Sequence, residues 1–200
     1  LVMLTHLHAD HAEGLPGVLR GRRVGEIALG AYDEPAPERQ RVLHWAARAG
    51  VPVTEVRAGD RVRLGPLRWR VLWPGRVIDA GSVPNNASVV LDVRTRGLRL
   101  LLLGDVEPEA QRAILAAGGV GPVDVLKVAH HGSAYQAPEL LAVARPRLAL
   151  VSVGADNDYG HPAAETLTQL RRLGAVVART DHDGTLVVTA PGLRLVTGGR

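Results

Sequence analysis

The chain has 200 residues, 46% of them hydrophobic and 22% charged, which is enough for one compact domain with a substantial core and too apolar for a disordered segment. Its formal net charge is +4, and Lys127 is the single lysine among 24 basic side chains, so arginine, whose planar fork suits anionic partners, supplies the positive charge. The absence of cysteine excludes disulfides and thiolate ligands, the 3% aromatic content argues against a stacking platform for bases, and no apolar run is long enough to span a membrane.

Residues 1–4 read as a buried strand, and Thr5 then opens a cluster in which His6, His8, Asp10 and His11 fall close together. If the segment stays extended, His6, His8 and Asp10 alternate onto one side while His11 turns away at the start of a helix or turn. Four nitrogen and oxygen donors can then address two neighbouring cations, and imidazole with carboxylate suits zinc, manganese or iron. A solvated loop with incidental histidines is the plain alternative, but three of the eight histidines lie here, directly behind an apolar strand. Leu1 is not a start residue, so the chain reads as a piece cut from a longer polypeptide, its ligand strand lacking a partner before it.

Residues 12–19 look like a turn into a short helix whose positive end would lie near bound anions. A second strand is expected over 24–29 and a helix over 34–50, with Val42, Trp45, Ala46 and Ala49 at helical spacing, Gly50 as its stop and His44 on its surface. Alternation through 51–77 predicts an antiparallel section with one wet face and with Trp69 and Trp73 in the core. After Pro84-Asn85-Asn86-Ala87-Ser88 come strands 89–93 and 98–103, the second ending in Gly104-Asp105. An aspartate at the carboxyl end of a strand sits where open sheets place their ligands, although it could also cap the helix that follows.

Helix 108–117 leads to strand 123–128, which ends in Ala129-His130-His131-Gly132-Ser133 and repeats the opening pattern of apolar strand, imidazoles and turn. Helix 138–143 and strand 148–153 run into a loop that carries Asn157 and His161, and loops behind strands carry function more often than they fill cores. Helix 163–173, strand 175–178, a hairpin turn at Asp183-Gly184 with His182 as a turn residue, and strands 185–189 and 193–196 complete the order.

Taken together, the His6 to His11 cluster, Gly104-Asp105, His130-His131 and the His161 loop resemble the metallo-β-lactamase fold hydrolases. Leu126-Lys127-Val128-Ala129-His130-His131-Gly132-Ser133, Asn157-Asp158-Tyr159-Gly160-His161-Pro162, Thr180-Asp181 ahead of Asp183-Gly184, and Asn85 through Leu91 further resemble the carboxy-terminal hydrolase domain of the ComEC family of competence DNA-internalisation proteins. The resemblance implies an α/β (or α+β) chain forming one domain over 1–200, a four-layer αβ/βα sandwich without its first N-terminal strands, which would leave the first sheet without partners. It implies two divalent metal ions, zinc or manganese, held by His6, His8, Asp10, His11, a bridging Asp105, and His130 or His131, with His130 taken as the ligand. Many relatives carry a further histidine where this chain has Asn85-Asn86, so one ion is expected to be held weakly or to be manganese. For the family it implies a nuclease acting on incoming DNA, with contacts to the backbone of a single strand. The domain would lie outside the cytoplasmic membrane, tethered to the polytopic channel portion of the same protein.

The chemistry expected of such a centre is metal-assisted hydrolysis. Asp10 would hold the second ion and orient the nucleophile, and His131 and His161 would protonate the leaving oxygen or hold the transition state. Asn86, Ser88, Ser133 and Asn157 would donate to phosphate oxygens, and the arginines would add salt-sensitive attraction without sequence readout. Two other readings keep the fold: a hydrolase of a small thioester, lactone or lactam, favoured by a closed apolar pocket over an open arginine-lined groove, and a non-catalytic docking domain of a DNA channel.

Overall fold

The computed structural model describes residues 1–32 and 35–199. Three short strands, β1 (Val2–Met3), β2 (Ile27–Gly30) and β3 (Val53–Val56), form a parallel sheet in the order β1-β2-β3. Parallel pairing needs crossovers, supplied by α1 (Ala9–Ala12) and α2 (Leu15–Leu19) and then by α3 (Ala36–Ala49), which ends at Gly50 with φ 66. Glu34, expected to begin that helix, lies outside the described residues. Val42 and Ala46 on α3 pack with Leu4, Leu15, Ile27 and Leu29 over one face of the sheet.

Two expectations are corrected here. The first strand has a partner, since Val2 N–H donates to Glu26 O and Leu4 N–H to Ala28 O along β2. Residues 53–56 do not open the antiparallel section but join β2 in parallel, because α3 works as a crossover that returns the chain to the same sheet.

The second sheet contains β4 (Arg61–Leu64), β5 (Leu67–Trp73), then a short helix α4 (Val83–Asn86), followed by β6 (Val90–Thr95) and β7 (Leu98–Leu102). It continues with α5 (Pro108–Ala116), β8 (Val125–Lys127), α6 (Pro138–Ala144), β9 (Leu148–Val151), α7 (Ala164–Arg172) and β10 (Val176–Arg179). Its order is β10-β9-β8-β7-β6-β5-β4, antiparallel from β4 to β7 and parallel from β7 to β10. Along β5 the faces alternate as far as the register shift between Val71 and Trp73. Trp69 and Val71 turn toward Ala28 and Val56 of the first sheet, whereas Leu72 turns toward the layer of α5, α6 and α7 with Leu101, Ile114, Leu126, Leu140 and Leu170. Helices, sheet, sheet and helices thus stack as the expected αβ/βα sandwich.

The last elements are a short helix α8 (Thr180–Asp183) and a separate antiparallel pair, β11 (Thr185–Thr189) and β12 (Arg194–Gly198). Asp183-Gly184 is therefore not the hairpin turn; residues 190–193 are. Asp183 instead accepts the Arg179 N–H at 2.8 Å, and Arg179 pairs with Asp181, which closes α8 into a compact corner.

One contact fixes the loops that matter for function. A 3-10 turn (Ala129–Gly132) follows β8, and a Cβ on Gly132, at φ +78, would lie 2.7 Å from Pro162 Cβ in the loop after β9. Gly132 O also accepts the Ala163 N–H at 2.8 Å. Gly132→Ala should therefore lower stability by about 1–3 kcal/mol through left-handed strain and overpacking. The measurement is a shift in urea midpoint at constant slope; an unmoved midpoint would show that the two loops are not pinned there.

Candidate metal centre

The carboxyl ends of β1, β7, β8 and β9 point to one edge of the sandwich, and every chemistry-bearing segment leaves from there. The chain after β1 is extended only as far as His8, the N-cap of α1 at φ -61 and ψ 153, so Asp10 and His11 stand on the first turn of that helix. His11 consequently does not turn away. Its ring centroid lies 4.1 Å from that of His6, and the rings of His6 and His8 meet edge-on at 4.7 Å.

Asp10, His11, Asp105 and His131 each offer one ligand atom, and all four atoms lie within 4.8 Å of one another. His131 Nε2 is 3.1 Å from both Asp105 Oδ2 and Asp10 Oδ2. His11 Nε2 is 3.2 Å from Asp105 Oδ2, 3.3 Å from Asp10 Oδ2 and 3.3 Å from His131 Nε2.

Three imidazoles share one pattern, with Nδ1 tied to an oxygen and Nε2 left for the site. His131 Nδ1 donates to Ser152 O at 2.7 Å, and since a carbonyl only accepts, the neutral ring carries its lone pair on Nε2. His11 Nδ1 lies 3.2 Å from Thr5 Oγ1, and His6 Nδ1 lies 3.1 Å from Thr5 Oγ1 and 3.2 Å from Ser88 Oγ. His6 Nε2 is buried with no hydrogen-bond partner. An orphaned buried nitrogen beside a set of imidazole and carboxylate donors fits a divalent cation, with Thr5, Ser88 and Ser152 as the supports that orient the rings.

Asp105 is 2% exposed, and its two oxygens face different partners. Oδ2 meets the histidines, while Oδ1 accepts from Lys127 Nζ at 3.3 Å, and Lys127 also donates to Gly104 O at 3.0 Å. Burial alone would raise the carboxyl pKa. Hydrogen bonds from His11 and His131 and the Lys127 charge outweigh it and hold the group well below the usual carboxylate range. The same bond to Asp105, against the effect of burial, raises the pKa of His131. Sequence reasoning singled out neither Lys127 nor Thr5 for a role; the signal available was the position of each beside a ligand motif at a strand end.

His130 goes elsewhere. Its Nδ1 is buried without a hydrogen bond, 3.8 Å from Glu107 Oε1, and its ring stands 5.3 Å from that of His161. The cause is local: His130 and His131 take consecutive left-handed conformations at φ 47 and 51, which L-residues rarely adopt, and the two rings leave the turn in different directions. The structure therefore brings His131 to the cluster and leaves His130 between Glu107 and His161.

The four neutral side chains expected to meet phosphate all make hydrogen bonds within the protein. Asn86, 1% exposed, donates to Ala80 O at 2.8 Å and accepts the Glu107 N–H at 2.9 Å. Ser88 Oγ accepts the Asp105 N–H at 3.1 Å, and buried Ser133 Oγ accepts the Tyr135 N–H at 3.3 Å. Asn157 spans its own loop, donating to Gly154 O at 2.9 Å and His161 O at 3.0 Å. Asn86, Ser88 and Ser133 are buried and brace the walls of the site, and Asn157, which lines the cleft beside the cluster, spends both amide N–H groups on its own loop.

A cleft of ≈ 400 Å³ opens beside the cluster, lined among others by Asp10, His131, Tyr159 and His161. It faces solvent, because the Asp10 side chain is 60% exposed and Tyr159, stacked on His161, is 84% exposed. Burial, then the nearby His130 and His131, lower the His161 pKa, so its ring is neutral at pH 7.

Burial, followed by repulsion from His11, lowers His6 from 6.5 to about 3. The unfolded chain thus binds a proton in this range that the fold excludes, and the stability of the metal-free protein should fall as pH drops from about 6.5 toward 3. His6→Asn should flatten that decline, as read from urea midpoints at neutral and mildly acid pH. Equal slopes in the two proteins would show that His6 does not contribute it.

Residues 1–155 match the model of the Metallo-beta-lactamase superfamily. The chain is 33% identical over 186 residues, 92% of its length, to ComE operon protein 3 of Bacillus subtilis (strain 168), of which it covers 24%. It is 32% identical over 123 residues, 61% of its length, to Recombination protein 2 of Haemophilus influenzae, of which it covers 15%. The chain therefore spans a quarter or less of the curated relatives it matches. Zn2+-bound PqqB from Methylobacterium extorquens shares the fold at TM-score 0.56 and 14% identity, over 89% of this chain and 70% of that one. On the matched motifs, the αβ/βα layers and the clustered histidines and aspartates, the chain belongs to the metallo-beta-lactamase superfamily, whose fold is generally that of metal-dependent hydrolases.

Proposed function

We propose that residues 1–200 form a metal-dependent phosphodiesterase domain that cuts the backbone of DNA, as one part of a competence protein for DNA uptake. The observation that carries this reading is the cluster of Asp10, His11, Asp105 and His131 beside a cleft open to solvent, whose wall Asp10 and His131 form and along which a long polymer can lie. A small acyl substrate would call for an enclosed pocket, whereas this cleft, although Val153 and Gly154 add apolar surface to it, lies open to solvent with Asp10, His131 and His161 on its walls. The likeness to the competence proteins supports the biological setting, with the domain attached to a polytopic channel at the cell membrane on its extracytoplasmic side. Among the described residues no helix is long and apolar enough to cross a membrane, so attachment would come through other parts of the protein.

In this reading Asp10, His11, Asp105 and His131 hold one zinc or manganese ion, and His6 and His8 with Asp105 offer a second position. Bound divalent ions supply Lewis-acid neutralisation of phosphoryl charge and water ionised near neutral pH. The chain's own groups do the rest. Ser152 O and Thr5 Oγ1 keep the ring nitrogens of His131 and His11 aimed inward, and Asp10, the most exposed ligand, borders the cleft where the scissile phosphate would sit. His161, which lines the same cleft and whose pKa burial lowers, offers a ring N–H to the departing oxygen. In this reading His131 is a ligand and not the expected proton donor, because with an ion on Nε2 the ring would keep one proton, on Nδ1, and that proton is given to Ser152 O.

With manganese or zinc added, the purified chain should cleave a single-stranded oligonucleotide. Asp10→Ala and Asp105→Ala should each lose more than the roughly 10–100-fold that removal of a supporting partner costs. In equilibrium dialysis His131→Ala should lose bound metal while His130→Ala retains it. Cleavage that survives in both aspartate variants would remove the proposed centre, and bound metal without turnover of any phosphodiester would make the domain a docking module.

A further inference from the structure

Far from the metal cluster, the second sheet carries a row of arginines that the proposed reaction does not use. Register places Arg63 opposite Arg68, Arg68 opposite Arg94, and Arg94 opposite Arg99, so four guanidinium side chains cross β4, β5, β6 and β7 on one face. Arg61 opposite Arg70 begins a second row beside it. Directly opposed side chains stand about 4.5–5.5 Å apart at Cβ, and like charges so placed destabilise a sheet. Asp92 pairs with Arg99 at 2.8 Å and stands opposite Arg70 in register; among the described residues Arg61, Arg63, Arg68 and Arg94 make no ion pair, and all four are exposed.

The layer of α5, α6 and α7 explains why the row is bare. It covers Leu72, Val90, Leu101 and Leu126 on this face and reaches no further toward β4. Beyond it, two grooves of ≈ 580 and ≈ 460 Å³ share Arg68, Arg94 and Arg99. Asp105 follows Arg99 by six residues, so at about 3.3 Å per extended residue Arg99 lies at most roughly 20 Å from the carboxylate of the metal cluster.

We propose that this arginine face is a second, metal-independent site that grips a phosphodiester backbone away from the catalytic cleft. The choice of nucleic acid as ligand rests on the phosphodiesterase reading above; the existence of an anion-binding row does not. Three features favour a nucleic-acid strand. Guanidinium forks match phosphate oxygens bidentately, a linear row suits a linear polyanion, and the face has no exposed aromatic side chain, so it would hold backbone without reading bases. A bilayer surface is disfavoured because interfacial binding draws on apolar insertion. The exposed Val62, Leu64 and Leu67 beside the row belong to the opposite face, paired as Val62 with Trp69 and Leu64 with Leu67.

The experiment compares the wild-type chain with an Arg63→Gln, Arg68→Gln, Arg94→Gln variant in fluorescence anisotropy with a labelled oligothymidylate in EDTA, so that nothing is cleaved. The variant should bind about tenfold or more weaker, and its salt slope should shrink by about 2, since each phosphate contact on a single strand contributes about 0.7. The matching Arg→Lys variant should recover most of the affinity, which separates charge from damage to the sheet. Turnover of bis(p-nitrophenyl) phosphate with manganese should stay at the wild-type level in both variants. Unchanged oligothymidylate binding by the glutamine variant overturns the proposal, as does a loss confined to phosphatidylglycerol vesicles or a matching loss of bis(p-nitrophenyl) phosphate turnover. Arginine-dependent binding by a wild type that turns over no phosphodiester would sustain the site and sink the phosphodiesterase reading instead.

Discussion

A carboxylate charge buried at the end of β7 sets the terms for everything around it. Removing an ionised group from water costs several kcal/mol unless it is paired and hydrogen-bonded, and Asp105 is nearly inaccessible. The groups that compensate arrive from separate parts of the chain: His11 from α1, His131 from the turn after β8, Lys127 from β8 itself, and Ser88, which accepts the Asp105 N–H, from just ahead of β6. Ser88, Lys127 and His131 belong to the second sheet with Asp105, and His11 alone comes from the side of the first. The contact between His11 and Asp105 therefore ties the buried charge to the packing of the two sheets.

The two oxygens of Asp105 divide the surroundings into a structural side and a reactive side. Lys127 Nζ, which also grips Gly104 O, holds Oδ1 against the backbone of the neighbouring strand. A compact ammonium on a flexible stem fits between two strand ends where a planar guanidinium would need more room, which gives a physical reason for the single lysine in a chain otherwise supplied with arginine. With Oδ1 so occupied, Oδ2 alone faces His11 and His131. The rings are aimed by equally modest means, a threonine hydroxyl and one backbone carbonyl. Such supports set the tautomer of a ligand without entering the site.

Much of this was legible in the sequence, because metal ligands at strand ends leave a strong mark: an apolar run, then histidine or aspartate, then a turn. The segments ending in His11, Asp105 and His131 do meet at one edge. What stayed illegible depends on backbone conformation at single residues or on pairing over long distances. The choice between His130 and His131 is made by two left-handed residues that no composition announces. Asn86 and Ser88 looked like free donors because polar residues beside a motif read the same whether they face substrate or brace a loop. Residues 53–56 alternate like their antiparallel successors, and only the crossover by α3 assigns them to the other sheet. Asp183-Gly184 has the composition of a hairpin turn, but Asp183 is engaged by the Arg179 N–H instead.

The arginine row invites a simpler account, that charge on an outer strand keeps sheets from pairing edge to edge. That account covers Arg61 and Arg63, since β4 is the last strand of the seven. It does not reach Arg68 and Arg94, which stand on β5 and β6 with hydrogen-bonded neighbours on both sides. An interior strand has no edge to protect, and placing cations opposite one another there costs stability without any return inside the fold. The same strand that starts at this row, β7, leads at its other end to the carboxylate that gathers the metal ligands. A basic surface at one end and an acidic, imidazole-rich cleft at the other have opposite electrostatic needs, and the length of one strand keeps the arginines from competing for the carboxylates the metal site requires.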